Sequence, residues 1–203
     1  MFKTQIIHIH GGTPFDSREQ YESYISRFYD PLKEKKPWPK WIQESLANEA
    51  EVLLPKMPAK DNADYAIWKI AFEKMIPFFT AENLIFTARS LGTTFLTKYF
   101  SENIFSRPIK ALHLVALVFD GEGVPDEGMA DFIIDTEKWY NIQNHIDEIH
   151  LWHSTDDFGY PEKELASYQR HFPNALLHQF EDRGHFWQSE FPELLEQLKK
   201  EIL

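Results

Sequence analysis

Apolar positions along this chain come in short runs, separated by stretches whose apolar residues recur three or four apart. Positions 5–10 (QIIHIH) have the pattern of a buried strand that ends at Gly11 and Gly12. Positions 17–30 predict a helix, with Ser17 and Gln20 spaced as a capping box at its start. A shorter helical stretch covers 41–48, and 51–54 is a short strand candidate. Positions 64–76 carry an apolar stripe of Trp68, Ala71, Phe72 and Met75, and Pro77 should end that helix. The second half repeats the pattern, with strands over 83–87, 111–119, 148–152 and 175–180. Helical stretches follow Ser90 through position 100 and cover 139–143, 162–171 and 192–203. Alternation of this kind predicts an α/β fold: a mostly parallel sheet of about six strands with helices on both faces. The Pro-bearing stretches at 36–39 and 55–58 are short and read as loops. The whole chain, 1–203, is therefore read as one domain without a separate cap.

Charge and composition narrow the function classes. Twenty-one basic residues stand against 32 acidic ones, a net charge of −11. A field of that sign repels phosphate backbones and anionic lipid, so nucleic-acid and membrane-surface roles are set aside. The absence of cysteine excludes disulfides, thiolate nucleophiles and Cys-type zinc sites. No apolar stretch approaches the roughly 20 residues that span a bilayer. The first residues lack the length of a signal-peptide core, and the expectation is a cytoplasmic protein. Among the histidines, His8 and His10 share a strand face, but His150 and His153 lack that spacing and there is no His-Glu-x-x-His helix. No metal or other cofactor is expected.

Four short segments carry chemistry. Ala88-Arg89-Ser90-Leu91-Gly92 joins a strand-type run to a helix-type run. A serine there sits on a tight turn at the carboxyl end of the sheet, and small residues two before and two after it allow the turn. The plain alternative is a serine that caps a helix. Asp182-Arg183-Gly184-His185-Phe186 follows the last strand, where a histidine can reach across the top of the sheet. Ser154-Thr155-Asp156-Asp157-Phe158-Gly159-Tyr160-Pro161 follows the 148–152 strand. A carboxylate there can orient that histidine, and one of the two aspartates is expected to serve the turn instead. His8-Ile9-His10-Gly11-Gly12 ends the first strand, and glycines there let an N–H point at a developing oxyanion. Leu91, next after Ser90, would offer the second N–H. Serine, acid and histidine follow one another as Ser, Asp, His, each after its own strand, with the glycine loop before all three.

With these segments in place the chain resembles the small, capless serine hydrolases of the α/β-hydrolase fold, of the retinoblastoma-binding hydrolase and bacterial predicted esterase type. The resemblance spans nearly the whole chain. It rests on HIHGG at 8–12, LPKMP at 54–58 followed by Trp68, ARSLG at 88–92, HSTDD at 153–157 and DRGHF at 182–186. It implies Ser90 as nucleophile, His185 as base and, from the family's Ser-x-Asp-Asp motif with a proline soon after, Asp157 as acid, with Asp156 as the runner-up. It also implies oxyanion donors at Leu91 and at Gly11 or Gly12. Two departures stand out: Ala88-Arg89 replaces the usual Gly-His, and Tyr160 replaces a small apolar residue.

The expected activity is cleavage of small-molecule esters through an acyl-enzyme. The alternative is a non-catalytic or weakly catalytic protein-binding module on a hydrolase fold, since the family can also serve as a partner surface. The usual strand order of small hydrolases would put the first strand between the second and third, with a crevice at that switch point. Positions 119–136, with Asp120, Glu122, Asp126, Glu127 and Asp131, read as a solvated loop or a partial lid.

Overall fold

Side chains that alternate along each strand must go to opposite faces, so every strand buried on both sides needs apolar residues at successive positions. The computed structural model describes residues 2–28, 37–121, 128–143 and 145–202. Its strands are β1 (Thr4–Ile9), β2 (Glu51–Leu53), β3 (Asn83–Arg89), β4 (Ile109–Val115), β5 (Ile146–Ser154) and β6 (Leu176–Phe180). They form one sheet in the order β2-β1-β3-β4-β5-β6, with every neighbouring pair parallel. The helices are α1 (Arg18–Phe28), α2 (Trp38–Ser45), α3 (Tyr65–Met75), α4 (Leu91–Glu102), α5 (Tyr140–Gln143), α6 (Pro161–His171) and α7 (Pro192–Glu201). Ile7, Phe86, Leu112 and Leu151 pack with α3 to α6 on one face. Their neighbours Ile6, Ile85, Ala111 and Trp152 pack with α2 and α7 on the other. Burying a side chain of this size contributes about 1.5–3 kcal/mol. Phe72 meets Phe95 and Phe100 edge to face on the first side, as Phe86 meets Phe100, which adds geometric preference to that burial. Among the described residues no helix is long and apolar enough to cross a membrane.

The chain runs from β1 outward to β2 and then back past β1 to β3, so the switch point falls between β1 and β3. The Gly11-Gly12 loop and Ser90 leave the carboxyl ends of those two adjacent strands. Several element boundaries differ from the sequence reading, β5 for one running over Ile146–Ser154 rather than 148–152. Helix α2 begins at Trp38 rather than 41, because Pro37 stands at its cap and Pro39 lies in its first turn. A proline is tolerated there because the first N–H groups have no intrahelical acceptor. Strand β4 stops at Val115 although the apolar run continues to Phe119, because Ala116 turns to φ 51°. The run stays apolar for a different reason: Leu117 packs into the first core and Phe119 lies against it. At the start of α1, Gln20 N–H donates to Ser17 Oγ at 3.2 Å, while Gln20 Oε1 accepts from Asp16 N–H at 2.8 Å, one residue before the expected partner.

Of the acidic 119–136 segment, Glu122, Asp126 and Glu127 lie outside the described residues. Its described far end is fastened rather than free. Gly128 N–H donates to the Pro14 carbonyl at 3.3 Å, and Ala130 N–H to Asp16 at 2.8 Å. Asp131 accepts from the N–H groups of Tyr65 and Ala66 at 2.9 and 3.3 Å, where it satisfies the free donors at the start of α3.

Candidate active site

Ser90 joins β3 to α4 with φ 55° and ψ −131°, a backbone conformation that a residue with a Cβ rarely adopts. Such a residue costs about 1–3 kcal/mol and persists only where its surroundings hold it. Here Ser90 N–H donates to the Val115 carbonyl at 3.0 Å. The Ser90 carbonyl accepts from Thr93 twice, from its N–H at 2.7 Å and its hydroxyl at 2.8 Å. The turn sits flush on the end of β1. A Cβ at Gly92 would lie 2.5 Å from the Ile9 carbonyl oxygen, and one at Gly11 would lie 2.9 Å from Ser90 Cβ. Ala88, in place of the usual glycine, is fully buried and in register with Ile9.

His185 and Asp157 meet. The ring Nδ1 lies 2.9 and 3.0 Å from the two carboxylate oxygens, and both side chains are nearly buried. Facing a carboxylate, Nδ1 carries the proton and Nε2 keeps its lone pair. Asp156 takes the turn-serving role. Its Oδ1 accepts from the Ser154 hydroxyl at 2.5 Å and from Gly184 N–H at 2.8 Å, and Ser154 Oγ accepts in turn from Arg183 N–H at 3.1 Å. Those donors hold the Asp156 carboxyl below the usual carboxylate range. Asp156 thus staples the acid loop to the histidine loop, and Asp157 contacts the imidazole.

Arg89, next before Ser90, reaches the loop that carries His185. Its guanidinium donates to the Phe186 carbonyl at 3.2 Å, and the indole N–H of Trp38 donates to the same oxygen at 3.2 Å. Burial lowers the Arg89 pKa and the charge of Asp157 opposes that shift. Arg89 therefore anchors the residue after His185 and sits within the field of Asp157. Neither contact was readable from sequence, because the partners lie 97 and 148 residues apart in the chain.

Ser90 itself borders a shallow hollow with Gly12, Leu91 and Met129. Asp157 and His185 border an adjoining shallow hollow with His153 and Glu164. Phe158, Val118 and Gly121 line both. Among the described residues the His185 ring is hydrogen-bonded to Asp157 and not to Ser90. Glu164 is a wall residue that sequence reading missed. Its carboxylate accepts from the N–H groups of Phe119 and Gly121, and burial, with Asp120 adding to it, pushes its pKa up to about 7.

Beside Ser90, the N–H groups of Leu91, Gly11 and Gly12 donate no hydrogen bond among the described residues. His10 orients the peptide between the two glycines. Its Nε2 accepts from Met57 N–H at 2.9 Å, so Nδ1 carries the proton and donates to the Gly11 carbonyl at 2.6 Å. Burial lowers the His10 pKa and keeps the ring neutral for this role. Because a peptide is planar and trans, a Gly11 carbonyl turned to His10 sends the Gly12 N–H the opposite way.

A second titratable cluster lies on the α2–α7 face. The ligand-type atoms of His113, His150 and Glu201 fall within 4.8 Å of one another. Protons already fill the space between them. The indole N–H of Trp152 donates to His113 Nδ1 at 3.2 Å, which puts that ring's proton on Nε2, where it donates to Glu201 at 2.9 Å. A cation on Nε2 would push the proton to Nδ1, against the indole N–H. His150 stacks on His113 and reaches His178 at 3.0 Å. The cluster ties the end of α7 to β4 and β5. Glu201→Leu is expected to cost roughly 2–4 kcal/mol in urea unfolding, because it leaves buried imidazole N–H groups without an acceptor. Burial lowers the pKa of His150 to about 3 and of His178 to about 4. The unfolded chain binds those protons near pH 6.5 and the fold does not, so this contribution is flat above that pH and erodes as pH falls toward 4.

No protein-family model matches the chain. Serine hydrolase RBBP9 of Rattus norvegicus is 27% identical over 169 residues, which cover 80% of this chain and 84% of that protein. The ydeN gene product from B. subtilis has a similar crystal structure, with a TM-score of 0.72, 17% identity and 98% of each chain covered. A YdeN-like hydrolase from Pectobacterium atrosepticum gives a TM-score of 0.60 at 12% identity, covering 98% of this chain and 90% of its own.

Proposed function

With the chain placed among the small α/β-hydrolases by its fold and its similarities, we propose that it is a serine hydrolase that cleaves small carboxylic esters through an acyl-enzyme. The observation that carries this reading is the Asp157–His185 contact, which lines a hollow adjoining that of a serine held at φ 55°. His185 Nε2 takes the Ser90 proton as Ser90 Oγ attacks the ester carbonyl. Asp157 fixes the tautomer and stabilises the imidazolium. The carbonyl oxygen, now negative, is met by the N–H groups of Leu91 and Gly12, each such donor being worth about 3–4 kcal/mol. His185 then protonates the departing alcohol and activates the water that releases the acid.

The direct test uses a fluorophosphonate probe and a panel of p-nitrophenyl esters. The expected result is one label on the folded protein, lost in Ser90→Ala together with ester turnover. A folded protein that takes no label and turns over no ester would favour the other reading, a binding module on a hydrolase fold. The one observation on that side is that the His185 ring is not bonded to Ser90. Hydrogen bonds of this kind are often loose without substrate.

A further inference from the structure

We propose that Phe158 is the gate of this site: its ring stands between the hollow of Ser90 and the hollow of His185, and an apolar group of the substrate displaces it to bring the two together. The proposal rests on the serine-hydrolase reading above and adds to it a substrate class.

Three residues border both hollows, and they differ in how freely they can move. Gly121 has no side chain. Val118 is clamped at both backbone groups: its N–H donates to Thr93 Oγ1 at 3.2 Å, and its carbonyl accepts from Thr94 Oγ1 at 2.6 Å and from the Tyr168 hydroxyl at 3.0 Å. Phe158 is the exception. Its N–H is anchored on Asp157 Oδ1 at 2.8 Å, but the residue is 46% exposed. The ring leans on the His185 imidazole at 4.5 Å and lies nearly parallel to Trp187 at 5.9 Å. Rotation of the side chain toward solvent gives up two ring contacts and no hydrogen bond, while the acid loop stays in place. Such contacts are modest, so the gate is closed at rest and opens at small cost.

The space so vacated is bordered by two flat rings, the His185 imidazole and the indole of Trp187, a residue 61% exposed. A planar apolar acyl group, such as the phenyl ring of a benzoate ester, can take over the contacts that Phe158 gives up. An acetyl group cannot, and must react during the brief openings.

Phe158→Ala tests this, with Phe158→Leu as the milder variant. Fluorophosphonate labelling of Ser90 should speed up by about three- to tenfold in Phe158→Ala and less in Phe158→Leu, in line with the modest worth of aromatic contacts. The wild-type preference for ethyl benzoate over ethyl acetate, which differ in the phenyl ring alone, should fall toward unity in Phe158→Ala. Labelling that is unchanged or slower would overturn the gate. A readout independent of turnover is the ¹⁵N resonance of His185 Nε2. With Phe158 in place, Ser90→Ala should leave it unmoved. In Phe158→Ala, adding Ser90→Ala should shift it, because the serine then reaches the ring. A shift already present with Phe158 in place, or no shift in Phe158→Ala, would overturn the proposal. If no variant labels at all, the serine-hydrolase reading fails, and the resonance comparison still decides whether Phe158 separates the two side chains.

Discussion

Asp157→Asn is expected to lower kcat on p-nitrophenyl esters by about four orders of magnitude with little change in KM, whereas Asp156→Asn should cost about tenfold or less. The difference follows from what each carboxylate holds. An asparagine at 157 can turn its amide N–H toward His185 Nδ1, which moves the ring proton to Nε2, the atom that must accept from Ser90. It also removes the negative charge that faces the buried Arg89 guanidinium. An asparagine at 156 keeps an oxygen for the Ser154 hydroxyl and Gly184 N–H, so the staple between the two loops survives. Asp156→Ala removes the staple and should reduce activity more than Asp156→Asn, because the histidine loop then loses a bond at Gly184. If Asp156→Asn proves the more damaging of the two asparagine variants, Asp157 is not the acid.

The adjacency of these two aspartates shows where sequence reading stops. Strand, glycine loop, serine turn and histidine loop were all legible, because each is a local pattern: an apolar run, then small or polar residues that break it. The order Ser, Asp, His needed only chain position. Which aspartate faces the imidazole depends on how the turn after β5 throws successive side chains, and neighbours in a turn share every local signal. The same limit hid the Arg89–Phe186 bond and the His113–Glu201 pair, whose partners lie 97 and 88 residues apart. The over-long β4 prediction has the same origin, since apolar residues that cover a core from a loop look like residues that cover it from a strand. Phe158 escaped notice because an aromatic in a turn carries no sign of what it separates.

Gly92→Ala is expected to destabilise the fold by about 3 kcal/mol, as forced overpacking does, and to slow Ser90 labelling by about 10²-fold, as a displacement of about 1 Å at the reacting atom can. The added Cβ would stand 2.5 Å from the Ile9 carbonyl oxygen and 2.9 Å from that of His10. Both are backbone atoms, and neither yields easily. Ile9 is in register with Ala88 at the end of the β1–β3 ladder, and His10 is held through its ring to Met57 and to the Gly11 carbonyl. Relief therefore has to come from the turn itself, where Ser90 is kept at its strained φ by bonds to Val115 and Thr93. Moving it away from β1 also parts the Leu91 N–H from the Gly12 N–H, the pair assigned to the oxyanion. Gly184→Ala is the matched control. Nothing lies within 4 Å of a Cβ there, so its cost is the left-handed backbone alone, at φ +48°, about 1–2 kcal/mol. Urea unfolding and labelling rates measured on both variants separate crowding from backbone strain. A Gly92→Ala protein that keeps its stability and its labelling rate would mean that Ser90 does not ride on the end of β1, and the oxyanion assignment would go with it.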